Sequence, residues 1–449
     1  MKRAIKLFGF SLMMTILFVG CGTSSDDDLT GNPKNPKKEY PQTPTHFTEQ
    51  NDTSGKKTGP DSMVIDMLPK TQYIELTQEQ KALVAKSNDF SFNLYRAIHA
   101  ADNQKSNITS PLSVAYVLGM LNDGAAGNTA KEISQVLGFG ATKQTINEYC
   151  KALIDQAPMA DPSVILQIAN IVAANQDVTL EKDFKNDMQN YYSTEVASLD
   201  FSKQSSVDYL NTWCKEKSGG MIPSIIDALS PENLLVLMNA VYFKATWTEK
   251  FDEKDTKDED FTKADGSTIK LPMMHRNAQI RYCTNDVYTG IWLPFGSGDR
   301  WSMKVLLPEE GKTIDDIVKS LTGESWENNL WQHAIVDIKM PRFSTKSDIM
   351  LNDMVSKLGA PSIFDPQKAD FSLISKNQKQ FYVSQMKQKA AIEVNEEGTK
   401  TTAVTVSMMT GSNIVNGKGE FHANRPFMYV IQEWSSGAIF FIGTFQGNQ

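Results

Sequence analysis

The side chains best suited to chemistry in this 449-residue chain are the adjacent carboxylates Glu396 and Glu397, three cysteines in its body and five histidines. Paired carboxylates work as general acid and base when both reach one substrate atom. Neighbours on an extended strand point to opposite faces, so Glu396 and Glu397 are not expected to share one. Cys150, Cys214 and Cys283 are odd in number, widely spaced and without a CxxC pair. That argues against a disulfide framework or a zinc site and favours buried structural thiols, although counting leaves a catalytic thiol open. His46, His99, His275, His333 and His422 show no HExxH spacing. No metal and no cofactor are expected. A GxSxG elbow, a GxxxxGK(S/T) loop and a GxGxxG following a strand are all missing, and Gly138-Phe139-Gly140 reads as a turn. No catalytic residues are assigned, and an enzyme is not expected.

Composition narrows the classes further. The 40% hydrophobic content allows one large core or two ordinary ones, and the net charge of -8 argues against a nucleic-acid partner. Lys2, Arg3 and Lys6 precede an apolar run from Leu7 to Val19, too short to span a membrane. Gly20-Cys21 ends it and resembles a bacterial lipobox, with Phe18 departing from the usual Leu; ordinary signal cleavage is the alternative. The Ser24-Ser25-Asp26-Asp27-Asp28 run resembles the surface-export tag of Bacteroidetes lipoproteins. These resemblances imply a signal at 1–20, lipid on Cys21, and an outer-membrane, surface-exposed location held by the acyl chains alone. Residues 21–70 are polar and Pro- and Asn-rich, the composition of a flexible tether.

The elements that must position any site begin near Tyr73. Thr77-Gln78-Glu79-Gln80 has the form of a capping box, and helical patterns recur at 112–121, 130–137, 145–156, 180–192 and 206–216. Strand-like runs lie at 164–172, 234–243 and 301–308, and a closing hairpin, 427–432 and 438–445, turns at Ser435-Ser436-Gly437. Helices dominate the first half and strands the second, which predicts one mixed α+β domain over 71–449.

From about Asn88 onward the chain resembles the serpin family. The resemblance is carried by Asn107-Ile108-Thr109-Ser110-Pro111-Leu112-Ser113, Asn122 to Thr129, Asn239 to Trp247, Leu293-Pro294-Phe295 and Met340-Pro341-Arg342-Phe343. It continues through Leu358-Gly359, Ala369 to Ser372, Ala390 to Thr399, Asn424 to Phe427 and Phe441-Ile442-Gly443. It implies eight to nine helices around three β-sheets, an exposed reactive-centre loop and a monomer. It also implies suicide-substrate inhibition of serine endopeptidases, with cysteine endopeptidases open. The protease attacks the loop; the cleaved N-terminal half then inserts into the large sheet while the acyl bond still holds.

What the resemblance implies for residues can be set against their types. Glu396, Glu397, Gly398 and Thr399 match the hinge; Ser110, Pro111, Ser113 and Gln388 match the shutter beneath the sheet, and Trp247 the breach at its top. Inserting residues need small inward side chains, and Thr399, Thr401, Ala403, Thr405 and Ser407 are all small at alternating positions. No proline interrupts 395–412. Two departures are Lys400, where Glu is usual, and Gln388, where His is usual. The reactive bond falls at Ser412-Asn413, with Met409 the alternative. A non-inhibitory serpin-fold binder, or a surface lipoprotein that binds glycan or host protein, stays open.

Overall fold

Several helix starts are written in local polar chemistry. In the computed structural model, which describes residues 70–138, 140–297, 300–377, 381–399 and 418–448, α1 (Gln78–Ala101) opens on a capping box. There Gln80 N–H donates to Thr77 Oγ1 at 3.2 Å, and Thr77 N–H donates back to Gln80 Oε1 at 2.8 Å. Strand β1 (Asn107–Thr109) leads into α2 (Pro111–Gly124), whose N-cap is Ser110, with Pro111 at the first helical position. Helix α2 is buried on nearly every side because it runs between the two sheets, against strands from each.

The chain continues through α3 (Gly127–Gly138), α4 (Lys143–Gln156), β2 (Ile165–Asn175), α5 (Lys182–Tyr192), β3 (Glu195–Leu199), α6 (Gln204–Lys217) and β4 (Leu235–Thr246). Strands β5 (Lys257–Thr262), β6 (Thr268–Thr284), β7 (Tyr288–Phe295) and β8 (Trp301–Pro308) follow, then α7 (Ile314–Ser320) and α8 (Gly323–Glu327). The last elements are β9 (Gln332–Pro341), β10 (Phe343–Met350), α9 (Asn352–Leu358), β11 (Lys387–Asn395), β12 (Gly398–Thr399), β13 (Lys418–His422), β14 (Phe427–Glu433) and β15 (Ile439–Phe445). The α+β expectation holds, with nine α-helices among the described residues.

Hydrogen bonding gathers the strands into two sheets where three were expected. One has the order β10-β11-β12-β4-β2-β3; the other runs β1-β15-β14-β8-β7-β6-β9-β13, with β5 on β6. The second and third expected sheets are joined because β6, seventeen residues long, passes from one into the other without a turn. It pairs with β5 over Thr268–Met273, with β9 over Met273–Tyr282 and with β7 over Arg281–Thr284.

Between the sheets lies an aromatic core. Phe243 of β4 meets Phe295 at 5.4 Å and Trp301 at 5.2 Å, ring centre to ring centre. The closing hairpin turns where Gly437 takes a φ of +73°, a left-handed geometry natural to glycine. Buried Glu433 is satisfied there by the N–H and O–H groups of Ser435 and Ser436. The compact unit holding all of this spans Met67–Gln449, and no helix among the described residues is long and apolar enough to cross a membrane.

Candidate functional site: a hinge above a slot

Strand β11 ends at Asn395, whose side chain makes the turn that follows. Its Oδ1 accepts from Glu397 N–H at 3.0 Å and from Gly398 N–H at 3.2 Å. Glu396 and Glu397 therefore occupy a turn rather than the extended strand expected of them, and their carboxylates separate for that reason. Glu396 is 2% exposed. Arg342 Nε–H donates to both of its carboxylate oxygens, at 2.6 and 2.7 Å, and Thr256 Oγ1 donates as well. Glu397 pairs with Lys250. Both carboxylates are thus engaged within the protein, Glu396 buried and Glu397 about one third exposed.

The turn is also tied by its backbone. Trp247 N–H donates to Glu397 O at 2.9 Å and Phe251 N–H to Glu396 O at 3.1 Å. The Trp247 indole stacks on Phe295 at 4.4 Å, with the rings 9° from parallel, and its Nε1–H donates to Asn395 O at 2.9 Å. Gly398 has φ +134°, and a Cβ on it would sit 2.3 Å from Ala245 O. Only glycine fits this crossing.

Beyond Gly398 the chain enters the six-stranded sheet. β12 pairs antiparallel with β11 (Val394↔Thr399, Asn395↔Gly398) and antiparallel with β4 (Gly398↔Thr246, Thr399↔Ala245). Thr399 is buried; its Oγ1 accepts from Ala245 N–H at 2.9 Å. Among the described residues β4 and β11 share no ladder below this point. A cavity of about 50 Å³ lies there instead, flanked by Asn239, Val241 and Phe243 of β4 and by Gln388, Ala390 and Ile392 of β11. Room on that scale excludes large side chains.

The slot's floor is a neutral hydrogen-bond knot. Gln388 Oε1 accepts from Thr109 Oγ1–H at 2.5 Å and from Ser110 N–H at 3.1 Å, while Nε2–H donates to Ser110 O at 2.8 Å. Ser110 Oγ in turn accepts from Ser113 N–H at 3.3 Å, and both serines border the cavity. Asn239 adds a second polar flank through Asn170 Oδ1 at 2.8 Å.

The structure thus brings together Glu396, Glu397, Gly398, Thr399 and Trp247 at the top, and Ser110, Pro111, Ser113 and Gln388 at the floor. Thr401, Ala403, Thr405, Ser407, Met409, Ser412, Asn413 and Cys21 lie outside the described residues. Sequence reasoning missed Asn395, Thr256, Lys250 and Arg342 as partners of the hinge. Arg342 stood within the quoted Met340-Pro341-Arg342-Phe343 motif, so a search for a cation to match Glu396 had a signal to find. Cys150, Cys214 and Cys283 are buried free thiols, pushed up by burial to about 12, 11 and 11, which disfavours a thiolate nucleophile.

Known proteins share the fold and much of the sequence. The family model described as Serpin (serine protease inhibitor) matches residues 85–446. Serpin A3-1 of Bos taurus is 33% identical over 372 residues, covering 80% of this chain and 88% of the relative. Antithrombin-III of Mus musculus is 30% identical over 386 residues, covering 82% of each. Among solved structures, the thermophilic serpin tengpin in its native state superposes with a TM-score of 0.74 at 27% identity, covering 84% of this chain and 96% of its own. Human thyroxine-binding globulin complexed with thyroxine gives 0.73 at 27% identity, covering 82% and 98%. With the hinge, the slot and a family match over nearly the whole folded region, this chain belongs to the serpin family.

Proposed function

We propose that the chain is a suicide-substrate inhibitor of serine endopeptidases, with cysteine endopeptidases as a further class, held at the outer surface of a bacterial membrane by lipid on Cys21. The fold alone does not carry this, because thyroxine-binding globulin shares it. The observation that carries it is the seating of Thr399 between β4 and β11, directly above the slot.

Extending the observed register gives each small loop residue an address. Antiparallel continuation from Thr399↔Ala245 and Thr399↔Val394 sets Thr401 between Phe243 and Ile392, and Ala403 between Val241 and Ala390. Thr405 then falls between Asn239 and Gln388, and Ser407 between Leu237 and Met386. Gln388, Ala390, Ile392 and Val394 are the buried face of β11, so the small residues are the inward ones. Residues 399–411 as a strand would extend about 43 Å at about 3.3 Å per residue, and the twelve residues of β4 about 40 Å. A bond at Ser412-Asn413 would therefore be carried the full length of β4.

In the reaction, the protease's nucleophilic oxygen or sulfur attacks the Ser412 carbonyl, with Met409 the alternative. The peptide nitrogen of Asn413 departs with a proton, and an acyl ester or thioester remains. Insertion of 400–411 then gains two ladders of backbone hydrogen bonds while removing the ester from its catalytic groups before water completes hydrolysis. The test mixes the full chain with elastase, subtilisin, chymotrypsin, trypsin and papain. A complex surviving SDS, with at least one of the first three, is expected. Cleavage of the loop by every protease with no such complex would overturn the proposal, and mass spectrometry of the released C-terminal peptide assigns the bond.

A further inference from the structure

The far end of the loop is fastened by a device that the hinge chemistry does not use. Residues 400–417 join β12 to β13, and among the described residues β13 is an outermost strand, paired in parallel with β9 alone over Lys418–His422. Asp337 of β9 sits between two imidazoles from its two neighbours. His275 Nε2 of β6 lies 2.6 Å from Asp337 Oδ1, and His422 Nε2 of β13 lies 3.0 Å from Oδ2. Three strands are thus cross-linked by one carboxylate.

Three features make the cross-link responsive to acid. Each of the three side chains is about one third exposed, so protons exchange freely with solvent. Histidine is the side chain that changes charge in this range of pH. Both donors use the carboxylate, and a charged donor makes a shorter, stronger bond than a neutral one.

The surrounding charges leave Asp337 as the anion that the imidazoles answer to. Lys339, on the same face of β9, is held by both oxygens of Glu259 of β5, at 2.9 and 2.8 Å. Lys270 of β6 pairs with Asp260 of β5, and Asp258 of β5 lines the same depression as His422. Across the ladder Glu420 of β13 stands opposite Asp337, with Lys418 one pair-step beyond, and from β6 the neutral Asn277 stands opposite. Burial raises the Asp337 carboxyl, but the hydrogen bonds from His275 and His422 outweigh it and hold the group below its usual range.

The geometry assigns His275, Asp337 and His422 as positioning residues that latch β13, and with it the C-terminal root of the reactive loop, more tightly in acid than in alkali. The consequence for the loop rests on the inhibitory reading: insertion of an uncleaved loop would require β13 to leave β9, so the latch sets how long the bait survives unspent. The latch itself does not depend on that reading.

Hydrogen exchange on the full chain separates the two. After correction for intrinsic rates, amides of residues 418–422 are expected to exchange about fivefold more slowly at pH 5.5 than at pH 8.0, the size of two partly exposed charge pairs. Asp337→Asn, nearly isosteric, should erase the difference, and His422→Gln, which keeps a donor without a charge, should remove at least half of it. An unchanged difference in either variant, or none in the parent chain, overturns the latch. Failure of the protease gel with the exchange result intact would overturn only the inhibitory reading.

Discussion

The two sheets divide the molecule's labour. In the nine-stranded sheet, every residue of β8, β14 and β15 is buried and each of these strands is laddered on both sides. In the six-stranded sheet the central pair, β4 and β11, is bridged among the described residues by the two residues of β12 at the top, while at the floor Gln388 ties β11 to Thr109 and Ser110. The first arrangement resists change because any opening exposes apolar surface and unmakes two ladders at once. The second is held by a few polar contacts, each worth about 1 kcal/mol, which a competing strand can replace. Apolar closure therefore marks where the fold is fixed, and polar closure marks where, on the proposed mechanism, it would accept a further strand.

The most forceful way to break this contrast is to spoil the slot without touching its walls. Thr405→Arg would bring an unpaired cation between Asn239 and Gln388. The SDS-stable complex is expected to fall about 100-fold while loop cleavage persists, since burying a lone charge costs several kcal/mol. Complex formation at the parental level would show that the extended register is wrong.

A second test probes the sealed sheet through its buried cation. Lys304 lies in β8, 4% exposed, its Nζ 2.6 Å from Gln432 Oε1 and 4.4 Å from the ring centres of both Trp292 and Trp326. Burial pushes the ammonium down to about 7, against the pull of the indole faces toward the cation. Between about pH 7 and the unfolded value of 10.5, the unfolded chain binds more protons at this site, so stability rises with pH. The cost of charging is complete below about pH 7 and gone above 10.5. Lys304→Met is expected to stabilise by about 2 kcal/mol at pH 6, with the gain shrinking by pH 9.5, as read from urea midpoints.

The smallest expected effect sharpens the floor of the slot. Gln388→Ala removes three hydrogen bonds and leaves Ser110 O and the Thr109 hydroxyl without those partners. A loss of about 2 kcal/mol in urea unfolding is expected, independent of pH because no ionisable group is removed. A pH-dependent loss would mean that another titrating group governs the floor.

Local chemistry was legible in the sequence, and distant chemistry was not. The α1 capping box, the serine turn between β14 and β15 and the run of helices before β4 are each encoded within a few residues, and each lies where its pattern placed it. Gly398 was legible as a special position, although the close approach to Ala245 that demands it was not. The partners of Glu396 are invisible locally, since Arg342 is 54 residues away and Thr256 140. The turn at Glu396-Glu397 was hidden for a different reason: a single Asn395 carboxamide overrides strand alternation. The merging of two sheets had no signal either, because it is the lack of a break in β6 that causes it.

That unbroken strand limits how such a chain can vary in length. β6 matches β5 at its start, β9 through its middle and β7 at its end, and alternation has a period of two. Deleting or adding one residue near His275 to Asn277 would turn one half inside out relative to the other, exposing either Leu271 and Met273 or Ala278 and Ile280. Insertions and deletions must therefore fall in the connections before Thr268 and after Thr284, and the seventeen-residue strand acts as a fixed ruler to which the rest of the sheet is cut.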